Sequence, residues 1–218
     1  MTTKILFVPL LILALAAGCA SAPKVTQTES GFLSDYSKLK TTSEENAAAY
    51  QAEGYDLKNY GHITFDPVQV HLSDKLVAES SLKASQQEKI AQYVADELNR
   101  RLAGGFKGQG TGTLNVRAAI SGITSSSEEL SAWQYLPVTL AVAATLEAAG
   151  KRDKALVLFQ EAEAIDDATG EIVVAKIKAS ELGLVDNSDF EKDPIGTLKP
   201  LLAKWIDKLV DDFNQKLR

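Results

Sequence analysis

The sequence predicts an α+β domain: a small mixed or antiparallel sheet of about four strands, in the order β-α-β-α-β-β-α, with helices packed on it. Three observations carry that expectation. Apolar residues alternate with period two in separate stretches near 63–72, 114–120, 156–164 and 173–179. Apolar residues also recur every third or fourth position over 90–102 and 198–217, as on one face of a helix. Finally, DDATG lies between two alternating runs and reads as a hairpin turn.

Residues 1–18 stand apart from that domain. Lys4 supplies a positive start, and Ile5 to Ala17 carry no charge. The run is shorter than the roughly 20 residues of a transmembrane helix, and has the length of a signal-peptide core. Leu15-Ala16-Ala17-Gly18-Cys19 then has the form of a bacterial lipobox, with Ala16 where an aliphatic residue is usual. Cys19 is the one cysteine of the chain. Cleavage is therefore expected between Gly18 and Cys19, with thioether lipidation of Cys19 and acylation, palmitate included, of the new amino terminus. Each buried methylene adds about 0.8 kcal/mol, so several chains on one residue make a permanent anchor. Ala20 is not the aspartate that retains lipoproteins in the inner membrane, so an outer-membrane, periplasm-facing location is expected.

About 200 residues then remain, enough for one core. The chain's formal charge of −6 becomes more negative when Lys4 leaves. An acidic chain without a basic run has no electrostatic footprint for nucleic acid. Residues 19–60 are expected to form a lipidated tether and an N-terminal segment, with Phe32, Leu33, Tyr36 and Leu39 as an apolar side packing on the core. TTSEENAAAYQAE, at 41–53, reads as loop or short helix. Residues 61–218 are expected to form a single α+β domain.

Within it, Ile63 and Phe65 alternate, Asp66-Pro67 interrupts, and Val68, Val70 and Leu72 resume: a strand kinked at its proline. Ser85-Gln86-Gln87-Glu88 has capping-box spacing. Ile90, Val94, Leu98 and Leu102 mark the helix that follows, stopped by Gly104-Gly105. Leu114, Val116, Ala118 and Ile120 give the next strand. Leu136–Gly150 is apolar nearly all round and reads as a buried helix. Around DDATG, pairing 166 with 171 puts Leu156, Leu158, Ala162 and Ala164 on one face with Val173, Ala175, Ile177 and Ala179. The same register sets Glu161 opposite Lys176. Leu198, Leu202, Trp205, Leu209, Phe213 and Leu217 mark an amphipathic C-terminal helix.

SGFLSDYSKLK near the lipidated end, DLKNYGHITFDPVQV, and a late strand carrying EAIDDATGEIV together resemble a family of Gram-negative lipoproteins, domain-of-unknown-function family 3313. The resemblance covers most of the mature chain. It implies an envelope lipoprotein and brings no established activity, catalytic residue or ligand.

The residues themselves nominate no catalytic or metal site and no cofactor. GGFKGQGTG follows a helix and precedes a strand, the reverse of a phosphate-binding loop. His62 and His71 bracket one strand without acidic or cysteine partners at metal spacing. Ser125-Ser126-Ser127 lacks the pattern of an activated nucleophile. Glu161 and Glu163 share a strand face as a glycosidase pair does, but with Lys176 across from one of them they read as a solvated face. Asp166-Asp167 reads as turn chemistry. Tyr36, Tyr50, Tyr55 and Tyr60 cluster before the first strand and read as packing. The expected function is a non-enzymatic binding module of the envelope, contacting another protein or the cell wall. The alternative is a carrier or sensor of a lipophilic small molecule, which requires an apolar cavity beneath the helices, with the all-apolar 136–149 segment as its natural lining.

Overall fold

A computed structural model of the chain describes residues 29–44, 46–80, 82–126 and 153–217. The expected helix at 136–149 lies outside these residues. Every contact reported below is made within 29–217, so a chain beginning at Ala20 retains them all.

The sheet corrects the four-strand expectation. It has eight strands, most of them antiparallel: β1 (Lys40–Thr41), β2 (Ala47–Gln51), β3 (Tyr60–Phe65), β4 (Gln69–Val70), β5 (Phe106–Lys107), β6 (Gly112–Ser126), β7 (Asp153–Asp166) and β8 (Ile172–Asp186). Their spatial order is β1-β2-β8-β7-β6-β3-β5, with β4 also on β6. Four helices are described: α1 (Asp74–Glu79), α2 (Ala84–Leu102), α3 (Asn187–Lys192) and α4 (Pro194–Lys216). The sheet was underestimated for physical reasons. Ala47–Gln51 is alanine-rich and has weak strand propensity of its own; its pairing with β8 makes it a strand. The two-residue strands are too short to show a period.

β3 and β4 are one broken strand beside β6. Both run parallel to β6, β3 against Gly112–Val116 and β4 against Ala119–Ile120. Asp66-Pro67 falls in the gap, where a missing N–H costs no ladder bond. A parallel return needs a crossover, and α1 and α2 supply it. Helix α2 begins at Ala84, so Ser85 is inside it. The cap is the Gln86 side chain, which accepts from the Lys83 N–H at 3.1 Å.

The late hairpin turns as expected and then departs from its expected register. The Asp166 N–H donates to the Glu171 carbonyl at 2.9 Å, Ile165 faces Ile172, and Gly170 takes φ +70°. An extra residue, Val173, then bulges from β8, and Ala164 faces Val174. One inserted residue inverts the facing of everything beyond it. Glu161 therefore lies opposite Ile177, and Lys176 opposite Ala162; the expected Glu161–Lys176 pair does not form. Leu158 and Ile177 sit on opposite faces.

Those two faces have different covers. Under α2 and α4, Ile90, Val94, Leu98, Leu198, Leu202 and Ile206 bury against Ile120, Leu156 and Leu158. On the other face, Phe32, Leu33 and Leu39 of the N-terminal strap cover Ala48, Ala119, Ala175 and Ile177. Leu76 of α1 packs beside them on Val157, Phe159 and Ala179. Leu76 comes so close to β6 that a Cβ on Gly122 would lie 2.6 Å from it.

Candidate functional site

Two features of the sheet carry polar chemistry, one on each face. On the strap side, Glu161 and Glu163 are 0% and 1% exposed, not the solvated face read from the sequence. The bulge brings Ala175 and Ile177 of β8 onto their face, and the strap covers it. The strap supplies their donors: the Ser30 N–H (3.1 Å) and Tyr36 hydroxyl (2.6 Å) to Glu161, and the Ser34 N–H (2.5 Å) and hydroxyl (3.1 Å) to Glu163. Arg117 Nε lies 2.8 Å from Glu163 as an ion pair, although its N–H does not point along that contact. The same guanidinium donates to the Phe32 carbonyl at 2.8 Å. Burial pushes the Glu161 carboxyl above its ordinary range, against the pull of its hydrogen bonds from Tyr36 and Ser30. Burial, and then Glu161 itself, also push the Tyr36 hydroxyl up. The carboxylates clasp the strap at Ser30, Ser34 and Tyr36. Their oxygens are occupied.

On the helix side lies a cavity of about 720 Å³ between the sheet and α4. Its cause is the floor. Ala118 on β6 and Ala162 on β7 are register partners, and two small side chains side by side leave α4 unsupported. Leu98 and Leu102 of α2, with Phe65 and Val68, form one wall. Trp205, Leu209 and Phe213 of α4, all half-buried, close over it. The opposite end is polar: Lys176 and Lys178 project from β8, beside Gln160, whose amide donates to Ser180 Oγ at 2.6 Å. Both ammonium groups bond Glu44, one to each carboxylate oxygen. Partial burial pushes Glu44 up, but the two lysines outweigh it and hold the carboxyl at about 2. Such a volume is that of a small-molecule site, and its lining divides between an apolar part and a polar part that includes Lys208, Asp212 and Lys216 of α4.

The other sequence candidates find structural places. The glycines of 104–112 flank β5; Gly105, Gly108 and Gly110 approach the Ile63 carbonyl, the Tyr60 carbonyl and the Asn59 backbone too closely for a side chain, while Gly104 stands in open space. His62 lies on β3. His71 Nδ1 sits 3.3 Å from the Ser30 carbonyl, with its ring edge-on to Phe32. Among the described residues, no cluster of three His, Cys, Asp or Glu side chains could hold a metal ion. Ser125 and Ser126 end β6, while Ser127 lies outside the described residues. Asp166 organises its turn, accepting from the Ala168 and Thr169 N–H groups, and its other oxygen takes the Tyr60 hydroxyl at 2.8 Å. The tyrosines divide: Tyr36 and Tyr50 join the strap cluster, Tyr55 and Tyr60 the packing around β3. Cys19 and Gly18 lie outside the described residues. Sequence reasoning missed the groove, although Trp205, Leu209 and Phe213 were already on the apolar stripe of the last helix.

The sequence resembles that of a Gram-negative envelope lipoprotein, and the described residues form a clasped, grooved sheet domain. The chain belongs to the family described as protein of unknown function DUF3313, which it matches over residues 28–209. It is 30% identical over 205 residues to uncharacterized lipoprotein YdcL of Escherichia coli K12, covering 90% of this chain and 86% of that protein. The same figures hold for YdcL of Escherichia coli O157:H7. Two crystal structures of the PelC dodecamer from Paraburkholderia phytofirmans align with 72% of this chain and 98% and 95% of theirs, at 13% identity. Their TM-score of 0.26 carries no argument. Among the described residues no helix is long and apolar enough to cross a membrane.

Proposed function

We propose that the protein is a binding module of the cell envelope that catalyses no reaction of its own. A lipid on Cys19 holds it to the periplasmic face of the outer membrane, and the groove under α4 takes a lipophilic small molecule. The groove is the observation that carries this reading. Of the occupants considered from the sequence, a protein or wall contact needs only an outer surface. A lipophilic ligand needs an apolar cavity beneath the helices, and one is there. The clasp supports binding over catalysis, because Glu161 and Glu163, the carboxylates that share a strand face as a glycosidase pair does, have their oxygens committed to the strap.

The test uses the soluble chain Ala20–Arg218 and N-phenyl-1-naphthylamine, an uncharged fluorophore that brightens in apolar surroundings. Emission should rise on mixing. Ala162→Trp, which fills the floor, should abolish the rise while the chain still melts cooperatively. The folded chain should turn over no generic ester, phosphate or glycan substrate. An unchanged emission, equal emission from Ala162→Trp, or turnover lost in a folded point mutant would each reject the reading.

A further inference from the structure

The groove is graded in polarity across the strands. The row Ala118–Ala162–Lys176 runs from β6 through β7 to β8, and the next row is Ile120–Gln160–Lys178. At about 4.8 Å per strand, roughly 10 Å of floor separates the apolar end from the lysines. We infer, resting on the groove reading above, that its ligand is a single-chain amphiphile with an anionic head, and that Glu44 is the built-in stand-in which that head displaces from Lys176 and Lys178.

Glu44 occupies the lysine pair as a ligand carboxylate would, one oxygen to each ammonium. It comes from the short connection between β1 and β2, where its own backbone N–H is held by Thr42 Oγ1 at 3.2 Å. All three side chains are 31–42% exposed. An ion pair that wet is weak and readily exchanged. The contrast with Glu161 and Glu163, buried and fixed by several donors, is direct: one face of the sheet uses carboxylates to lock, the other holds one loosely over a cationic site. Lys208 and Lys216 of α4 add positive charge along the facing lip, against Asp212 on the same helix and Glu181 on β8. With Glu44 swung out, four lysines face Asp212, Glu181 and Glu161, whose oxygens the strap's donors hold. The sign of the open site is positive, and charge-assisted contacts to a carboxylate head exceed neutral ones in strength.

The experiment follows Trp205 emission in soluble Ala20–Arg218 carrying Trp133→Phe, so that one indole reports from the groove. Decanoate, decan-1-ol and decylamine are titrated below micelle formation. Decanoate should bind about tenfold tighter than decan-1-ol, a difference of about 1.4 kcal/mol, and decylamine weakest. Glu44→Gln should tighten decanoate severalfold and leave decan-1-ol unchanged. Lys176→Met with Lys178→Met should erase the difference between acid and alcohol, with a cooperative melt showing that the variant folds. Equal affinities for acid and alcohol, a preference that survives loss of both lysines, weaker decanoate binding in Glu44→Gln, or no response to decanoate would each overturn the inference. The naphthylamine result decides separately whether the groove binds at all.

Discussion

Tyr36→Phe removes one oxygen and keeps the ring, so it tests the clasp without altering the packing of the strap. That oxygen donates to Glu161 at 2.6 Å and accepts from the Gly31 and Leu33 N–H groups at 3.0 and 3.1 Å. A hydrogen bond to a charged group contributes about 1.5–3 kcal/mol, and a neutral, partly buried one about 1. Gly31 is exposed, and water replaces its partner at little cost. The expected loss is therefore about 2–4 kcal/mol, read from urea melts as a lower midpoint at unchanged slope. In a Glu161→Gln background the same substitution should cost at least about 1 kcal/mol less, because the two groups are direct partners. A loss below about 0.5 kcal/mol, or costs that simply add, would mean that Tyr36 does not hold the strap through Glu161.

Ile177→Asp should destabilise by at least about 3 kcal/mol, since it places an unpaired charge under Phe32 and Leu33 at a site 1% exposed. Lys176→Ala, on the groove face, should cost about 1 kcal/mol or less; denaturant melts in the opposite order would refute the register. The pH profile reports Glu161. Its folded pKa is raised above 4.5, so its contribution is fully present below the unfolded value and declines as pH rises through the folded one. Glu161→Gln should flatten that decline, and melting curves that stay parallel from pH 4 upward would deny it. Cys19→Ser should abolish incorporation of a labelled fatty acid in cells, and equal label in the variant would remove the anchor.

The helical face of the fold was readable because its signal is long. Ile90 to Leu102 and Leu198 to Leu217 span several turns; the structure buries the first stripe and the start of the second, and leaves Trp205, Leu209 and Phe213 half-buried over the groove. The hairpin was readable at its turn, where Asp166 and Gly170 carry specific backbone chemistry, and misread beyond it. Alternation assigns faces only while the count is unbroken, and Val173 breaks it with no residue-level mark. That one insertion put Ile177 in place of Lys176 opposite Glu161, and the strap then buried the face that had been expected to be solvated. The groove was illegible for a different reason. It arises where Ala118 and Ala162 meet across two strands far apart in sequence, and a gap made by small residues leaves no motif. Lys176 read as the partner of Glu161, because Glu44, the carboxylate it does bond, lies in a segment that looked like loop or short helix.

The groove as a ligand site is best tested inside the cell. A benzophenone amino acid at Leu209, half-buried over the cavity, would sample whatever fills it, and one at exposed Thr169 in the hairpin turn would serve as control. After irradiation and purification, mass spectrometry should find a small lipophilic adduct at position 209 and none at 169. Adducts to protein or glycan alone at both positions, with nothing small at 209, would contradict the account.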